Sequence, residues 1–125
     1  MFLQSTPDIF TRYPDNAARA AVASQHIADV AVAGTVVDEP TFFIGRRTHA
    51  PHETFDVVTP NGLRLRIVDN VTLAPRIPVH TGDDIVVAGQ LIPTRDGAIV
   101  HDTHHCPGPG WHRGGWIQWQ GRRYS

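Results

Sequence analysis

Apolar and polar positions alternate along much of this chain, and the alternation has the period of a strand. Val30, Val32, Gly34 and Val36 share one parity, which predicts a first strand. Phe55 and Val57 share a face of a second, over residues 53–59. Leu63, Leu65 and Ile67 alternate with Arg64, Arg66 and Val68, so a third strand follows with a partly charged outer face. Pro60-Asn61-Gly62 separates the two, and Asn-Gly favours a two-residue hairpin loop. Residues 85–92 predict a fourth strand, with Gly89 as a bulge or bend. The Asp96-Gly97 turn leads into a fifth over residues 98–101.

The remaining segments break this period. Residues 1–14 are irregular, interrupted by Pro7 and Pro14. Asp15 or Asn16 caps a helix over residues 17–26, whose alanine stripe packs closely but buries little area. Residues 38–51 read as a loop, with Phe42 and Phe43 as a lid over the core. Residues 70–80 contain Pro75 and Pro78 and have room for one turn of helix at most, before the turn Thr81-Gly82-Asp83. Residues 102–125 are rich in Gly, Pro and Trp and are expected to wrap over the domain. The expected organisation is an N-terminal extension with a short helix (residues 1–28) and one domain (29–125). That domain is mainly β: a small five-stranded OB-like Greek-key barrel with a wrapping C-terminal tail. An SH3-like barrel or a small sandwich is the alternative.

Composition narrows the partners. The chain has 125 residues, 41% of them hydrophobic, which suits one domain with a modest core. A formal net charge of −1 argues against holding nucleic acid by bulk charge alone. All eleven basic residues are arginine. That is ordinary for a GC-rich genome, although arginine forks also suit phosphate and carboxylate. A single cysteine, Cys106, rules out an internal disulfide. No apolar run approaches the ~18 residues of a membrane span. Met1 to Phe10 lacks the basic start and apolar stretch of an export signal. The expected compartment is therefore the cytoplasm, or the periplasm if the sequence is a trimmed mature form.

The candidate chemistry lies near the C-terminal end. His101, His104, His105 and His112 fall within twelve residues. Imidazole is the commonest transition-metal ligand and transfers protons near neutral pH.

Several stretches, in order, carry a resemblance. Pro51-His52-Glu53-Thr54-Phe55 resembles a His-Gln-x-Phe element. Asp69-Asn70-Val71-Thr72-Leu73-Ala74-Pro75-Arg76-Ile77-Pro78 resembles His-Asn-x-x-Leu-Ala-Pro-Arg-Ile, and Gly82-Asp83 follows as Gly-Asp. His101-Asp102-Thr103-His104-His105-Cys106-Pro107 resembles His-Trp-Thr-His-His-Asp-Pro, with His112, Gly115-Trp116-Ile117 and Gly121 closing the pattern. The family so resembled is the bacterial domain of unknown function 3465, over roughly residues 30–124. The resemblance implies shared histidines at 52, 101, 104, 105 and 112, and many relatives with export leaders. It brings no activity with it. This chain departs from the pattern at Cys106, where the family has aspartate, and at Asp102, where it has tryptophan.

A turn after His101 that gathers two of His101, His104 and His105, joined by His52 or His112, gives the three-ligand pattern of a catalytic zinc site. Zinc is the expected ion, and hydrolysis of a phosphoester the expected chemistry. A metal-free version uses two histidines, chiefly His52 and His104, as acid and base. Arg76 then holds an anion and Asn70 orients the ligand. The different-class alternative is a non-enzymatic module for single-stranded nucleic acid, an oligosaccharide or another small anionic ligand. It would use Arg64, Arg66 and tail aromatics among Trp111, Trp116 and Trp119. More ordinary roles compete for each: imidazoles pinning a turn, Arg76 paired at the surface, Asn70 capping a turn, tryptophans gluing the tail, and Cys106 incidental. Oligomeric state is not legible at this level.

Overall fold

The computed structural model describes residues 8–105 and 114–125. It is mainly β, with two short helices, α1 (Ile9–Arg12) and α2 (Asn16–Ser24). The strands are β1 (Ala28–Val36), β2 (Thr41–Ile44), β3 (Pro51–Val58), β4 (Arg64–Asn70), β5 (Asp84–Thr94), β6 (Gly97–His101), β7 (Trp116–Trp119) and β8 (Arg122–Tyr124).

Five of these strands close a ring in the order β1-β3-β4-β6-β5, with β5 returning to β1. Neighbours are antiparallel except β4 and β6, which run parallel. The period-two pattern explains the closure, because each ring strand has one apolar face to bury. Val32, Val36, Phe55, Val57, Leu65, Ile67, Ile85, Leu91 and Val100 point into one shared core, each at most 1% exposed. Ile77 and Val79, from the proline-broken segment, plug one side of it.

Three elements differ from expectation. Residues 41–44 are a strand, not a loop: β2 adds to the outer edge of β3, opposite residues 51–54. Residues 116–124 of the C-terminal tail join the sheet rather than simply wrapping over it, because β7 and β8 form a hairpin hydrogen-bonded to β5. Gly89 makes no bulge. The registers of β5 with β1, β6 and β7 run on without an inserted residue. Gly89 instead lies where β5 changes partner, from β7 at residues 85–88 to β6 at residues 90–94. A Cβ at that position would collide with the carbonyl oxygen of His101, so the close approach of two backbones requires glycine.

The β3–β4 loop has three residues rather than two. Gly62 N–H donates to the Thr59 carbonyl, Thr59 N–H donates to the Leu63 carbonyl, and Gly62 takes φ 87°, so a left-handed glycine closes the loop. Helix α2 is fastened to this loop. Asp15 precedes the helix, but its carboxylate does not cap it. It is 2% exposed and accepts from the Thr59 hydroxyl at 2.6 Å and the Asn61 amide at 2.8 Å. Burial pushes the Asp15 pKa up, but these hydrogen bonds and Arg19 outweigh it and hold it below the usual value.

Candidate functional site

Because Phe55, Val57, Leu65 and Ile67 face inward, the alternate residues of β3 and β4 face outward. His52 stands directly opposite Asn70, Thr54 opposite Val68, and Asp56 opposite Arg66. β6 lies beside β4 and ends at His101. The chain then turns through Asp102, whose φ of 53° an aspartate tolerates better than most residues. The turn brings Asp102 and His104 back over the outer face. His52, Asn70, His101, Asp102 and His104, with Thr48, Val68 and Leu73, line one pocket of about 170 Å³.

Two imidazoles in this pocket have their tautomer fixed by main-chain acceptors. His52 Nδ1–H donates to the Ala50 carbonyl at 2.9 Å, and His104 Nδ1–H donates to the His105 carbonyl at 2.8 Å. In each neutral ring the lone pair therefore sits on Nε2. Asp102 lies between two rings, with Oδ1 3.9 Å from His104 Nε2 and Oδ2 3.7 Å from His101 Nε2. His101 Nε2 also meets Gln90 Oε1 at 2.8 Å. Phe43 stacks on His52 with ring centroids 5.2 Å apart and planes 14° apart, which fixes the ring from the other side.

Not every residue singled out above reaches the pocket. His105 is exposed, edge-on to His104 with centroids 6.4 Å apart. Arg76 is exposed too, its guanidinium 4.4 Å from the Phe42 ring centroid, so it does not line the pocket. Among the described residues, no group of three or more His, Cys, Asp or Glu side chains is disposed to hold a metal ion. His112, Trp111 and Cys106 lie outside the described residues. Trp116 packs edge-on against Tyr13 and under Arg123, and Trp119 donates to Asp83 at 3.0 Å. Arg64 and Arg66 occupy a separate, larger cleft of about 410 Å³ on the same face. The Nε–H groups of both donate to Asp56, at 2.8 and 3.1 Å.

Behind the pocket wall lies a feature the sequence reading passed over. Glu53 and Asp69 are cross-strand partners on the core side, 0% and 1% exposed. Glu53 Oε1 accepts from Ile77 N–H at 3.2 Å, and Asp69 Oδ1 accepts from the Thr103 hydroxyl at 3.1 Å. Glu53 Oε2 and Asp69 Oδ2 have no hydrogen-bond partner among the described residues. Burial is the main force pushing both pKa values up, and the neighbouring Glu53 adds to the rise at Asp69, which reaches about 7. Thr103 sits between Asp102 and His104, so this carboxylate anchors the turn that carries them. Parity held the signal: Glu53 shares that of Phe55 and Val57, and Asp69 that of Leu65 and Ile67.

The chain matches the family model described as "Protein of unknown function (DUF3465)" over residues 2–125, and it belongs to that family. Comparison with curated proteins and with solved structures gave no match. Among the described residues no helix is long and apolar enough to cross a membrane.

Proposed function

We propose that the domain is an OB-like metal-dependent hydrolase of phosphoesters, in which one zinc-type divalent ion draws together His52, His104 and Asp102, side chains of one pocket that are not grouped as a metal site without it. The OB-like reading is supported by the strand order of the ring and by its one parallel pair, β4 with β6. The metal reading is carried by one observation. His52 and His104 line the same pocket as the Asp102 carboxylate, and each ties Nδ1–H to a main-chain carbonyl, which leaves Nε2 as the ring atom with a lone pair. Histidines that bind metal almost always donate their other ring N–H in this way. A bound zinc-type ion acidifies its water and supplies a nucleophile near neutral pH. Asn70 offers an amide donor to an anionic oxygen of the ligand, and His101 steadies Asp102. Arg76 has no part in this reading, because it lies over Phe42.

Isothermal titration of untagged, chelator-treated protein with zinc, together with elemental analysis, tests the proposal. One equivalent is expected, with binding lost in His52→Ala and in His104→Ala and weakened in Asp102→Asn. The loaded protein is expected to cleave an activated phosphodiester. Absence of zinc, copper or nickel binding by the wild type would sink it.

A second reading, a non-enzymatic module for single-stranded nucleic acid or another anionic chain, draws on a different observation. Asp56 holds Arg64 and Arg66 side by side through Nε, and all three line an open cleft. Binding of a labelled oligothymidylate at two salt concentrations checks it. A flat salt response rules out phosphate-driven binding.

A further inference from the structure

Three of the five exposed large hydrophobic side chains among the described residues are consecutive. They are Phe42, Phe43 and Ile44, at 47, 43 and 64% exposure, so the exposed apolar surface is gathered on β2. Every residue of β2 is exposed, and β2 pairs with β3 alone. Among the described residues its other edge is unpaired. Gly45 N–H donates to the Ala50 carbonyl at 2.9 Å, on the β3 side. Backbone groups alternate in an antiparallel ladder, so the peptide groups of Thr41 and Phe43 also face β3, and those of Phe42 and Ile44 face the open edge. Nothing in β2 blunts that edge: it has no proline, no charge and no bulge.

We infer that this edge is the interface for a second copy of the chain, added antiparallel about a two-fold axis between the two Phe43 side chains. Such an axis stands perpendicular to the sheet and keeps outer face with outer face, so only residues of equal parity can stand opposite one another. Centring the register on Phe43 satisfies every outward peptide group of β2. Phe42 and the partner's Ile44 exchange both N–H···O bonds, and the reverse pair does the same. The two Phe43 rings meet at a non-hydrogen-bonded position, where opposite side chains come closest. Each ring is already held by its stack on His52.

Charge selects the occupant. The chain entering β2 carries Asp38 and Glu39, and the chain leaving it carries Arg46 and Arg47. In this register the acidic approach to one β2 lies at the same end of the seam as the partner's 45–50 turn, which carries Arg46 and Arg47, twice by symmetry. Glu39 is 62% exposed and, among the described residues, meets the exposed His80 and the Thr81 N–H, at 3.1 and 3.3 Å. Arg47 is exposed and makes no ion pair to a described residue. An edge that is acidic at one end and basic at the other complements its own antiparallel copy. It does not complement a uniformly charged polymer. Four residues of edge bury less than the ~1,600 Å² of a standard interface, so the dimer is expected to be weak and concentration-dependent.

Sedimentation equilibrium of the untagged full chain, from micromolar to millimolar concentration, tests this. The wild type is expected to dimerise and Ile44→Lys to stay monomeric with an unchanged circular dichroism spectrum. Glu39→Arg and Arg47→Glu are each expected to weaken the dimer several-fold by gathering like charges at each end of the seam. The two together restore it to within about threefold. A wild type that is monomeric throughout overturns the inference. So does a dimer indifferent to Ile44→Lys and to both single reversals, and so does an edge that binds an oligonucleotide without self-association.

Discussion

Asp69 gives the fold a pH dependence that one isosteric change removes. Its side chain is 1% exposed, and burial, reinforced by the charge of Glu53, raises its pKa from 3.8 to about 7. A carboxyl whose pKa is higher in the folded than in the unfolded chain binds its proton more tightly when folded. Its contribution is complete below pH ~4, declines as pH rises, and is gone above about 7. The difference of about three pH units, at 1.36 kcal/mol each, amounts to about 4 kcal/mol. That is a large part of the 5–15 kcal/mol that typically holds a small domain together. Asp69→Asn keeps an oxygen for the Thr103 hydroxyl but does not titrate. Urea unfolding of both proteins from pH 4.5 to 8.5 is the assay. The stability of wild type relative to Asp69→Asn is expected to fall by about 1.4 kcal/mol per pH unit between 5 and 7, then level off. Taking the difference cancels the titration of groups common to both proteins. A difference that stays constant with pH refutes the reasoning, since Asp69 would then have an ordinary pKa. Glu53→Gln is expected to move the decline to lower pH by removing a like charge.

Other consequences are simpler. Asp15→Ala strips the Thr59 hydroxyl and the Asn61 amide of their acceptor and is expected to cost about 1–3 kcal/mol in urea unfolding, with Asp15→Asn milder. Asp15 and Asp56 titrate below the usual carboxylate range, so the stability they add is lost as pH falls through their lowered values, opposite in sign to Asp69. The stability of Asp56→Ala, followed from pH 5 down to 2, is expected to fall less steeply than that of the wild type. Gly89→Ala drives a methyl group into the His101 carbonyl and is expected to cost about 1–3 kcal/mol and to weaken any zinc binding, measured by calorimetry. Leu91→Ala, at a 0% exposed core position, is expected to lose about 2–5 kcal/mol of unfolding free energy.

The ring strands were legible because each has a face to bury, and a period of two records that directly. β2 was not: all four of its residues are exposed, and Phe42-Phe43-Ile44 has no alternation to read. The C-terminal hairpin escaped for a similar reason, since Ile117 is the one buried residue of β7. The pocket depended on register. A two-residue Asn61-Gly62 loop would set Pro60 opposite Leu63 and slide His52 opposite Val71. The three-residue loop sets Val58 opposite Arg64 and therefore His52 opposite Asn70. Histidine density marked the neighbourhood of His101 and His104, but it gave no way to separate them from His105, which turns to solvent. Arg76 looked suited to an anion by its place between prolines, and no sequence pattern foretold its seat on Phe42. The Glu53–Asp69 pair was readable from parity, against the habit of assigning carboxylates to the surface.

For anyone engineering a hardier version of this protein, that pair is the obvious first target. Leucines at both positions would remove two desolvated acids from the interior and are expected to raise the melting temperature. The same exchange cuts the tether to Thr103 and lets the histidine turn drift. Thermal robustness and an ordered pocket are thus opposed at two neighbouring side chains, and directed evolution for heat resistance alone would erode the second while improving the first.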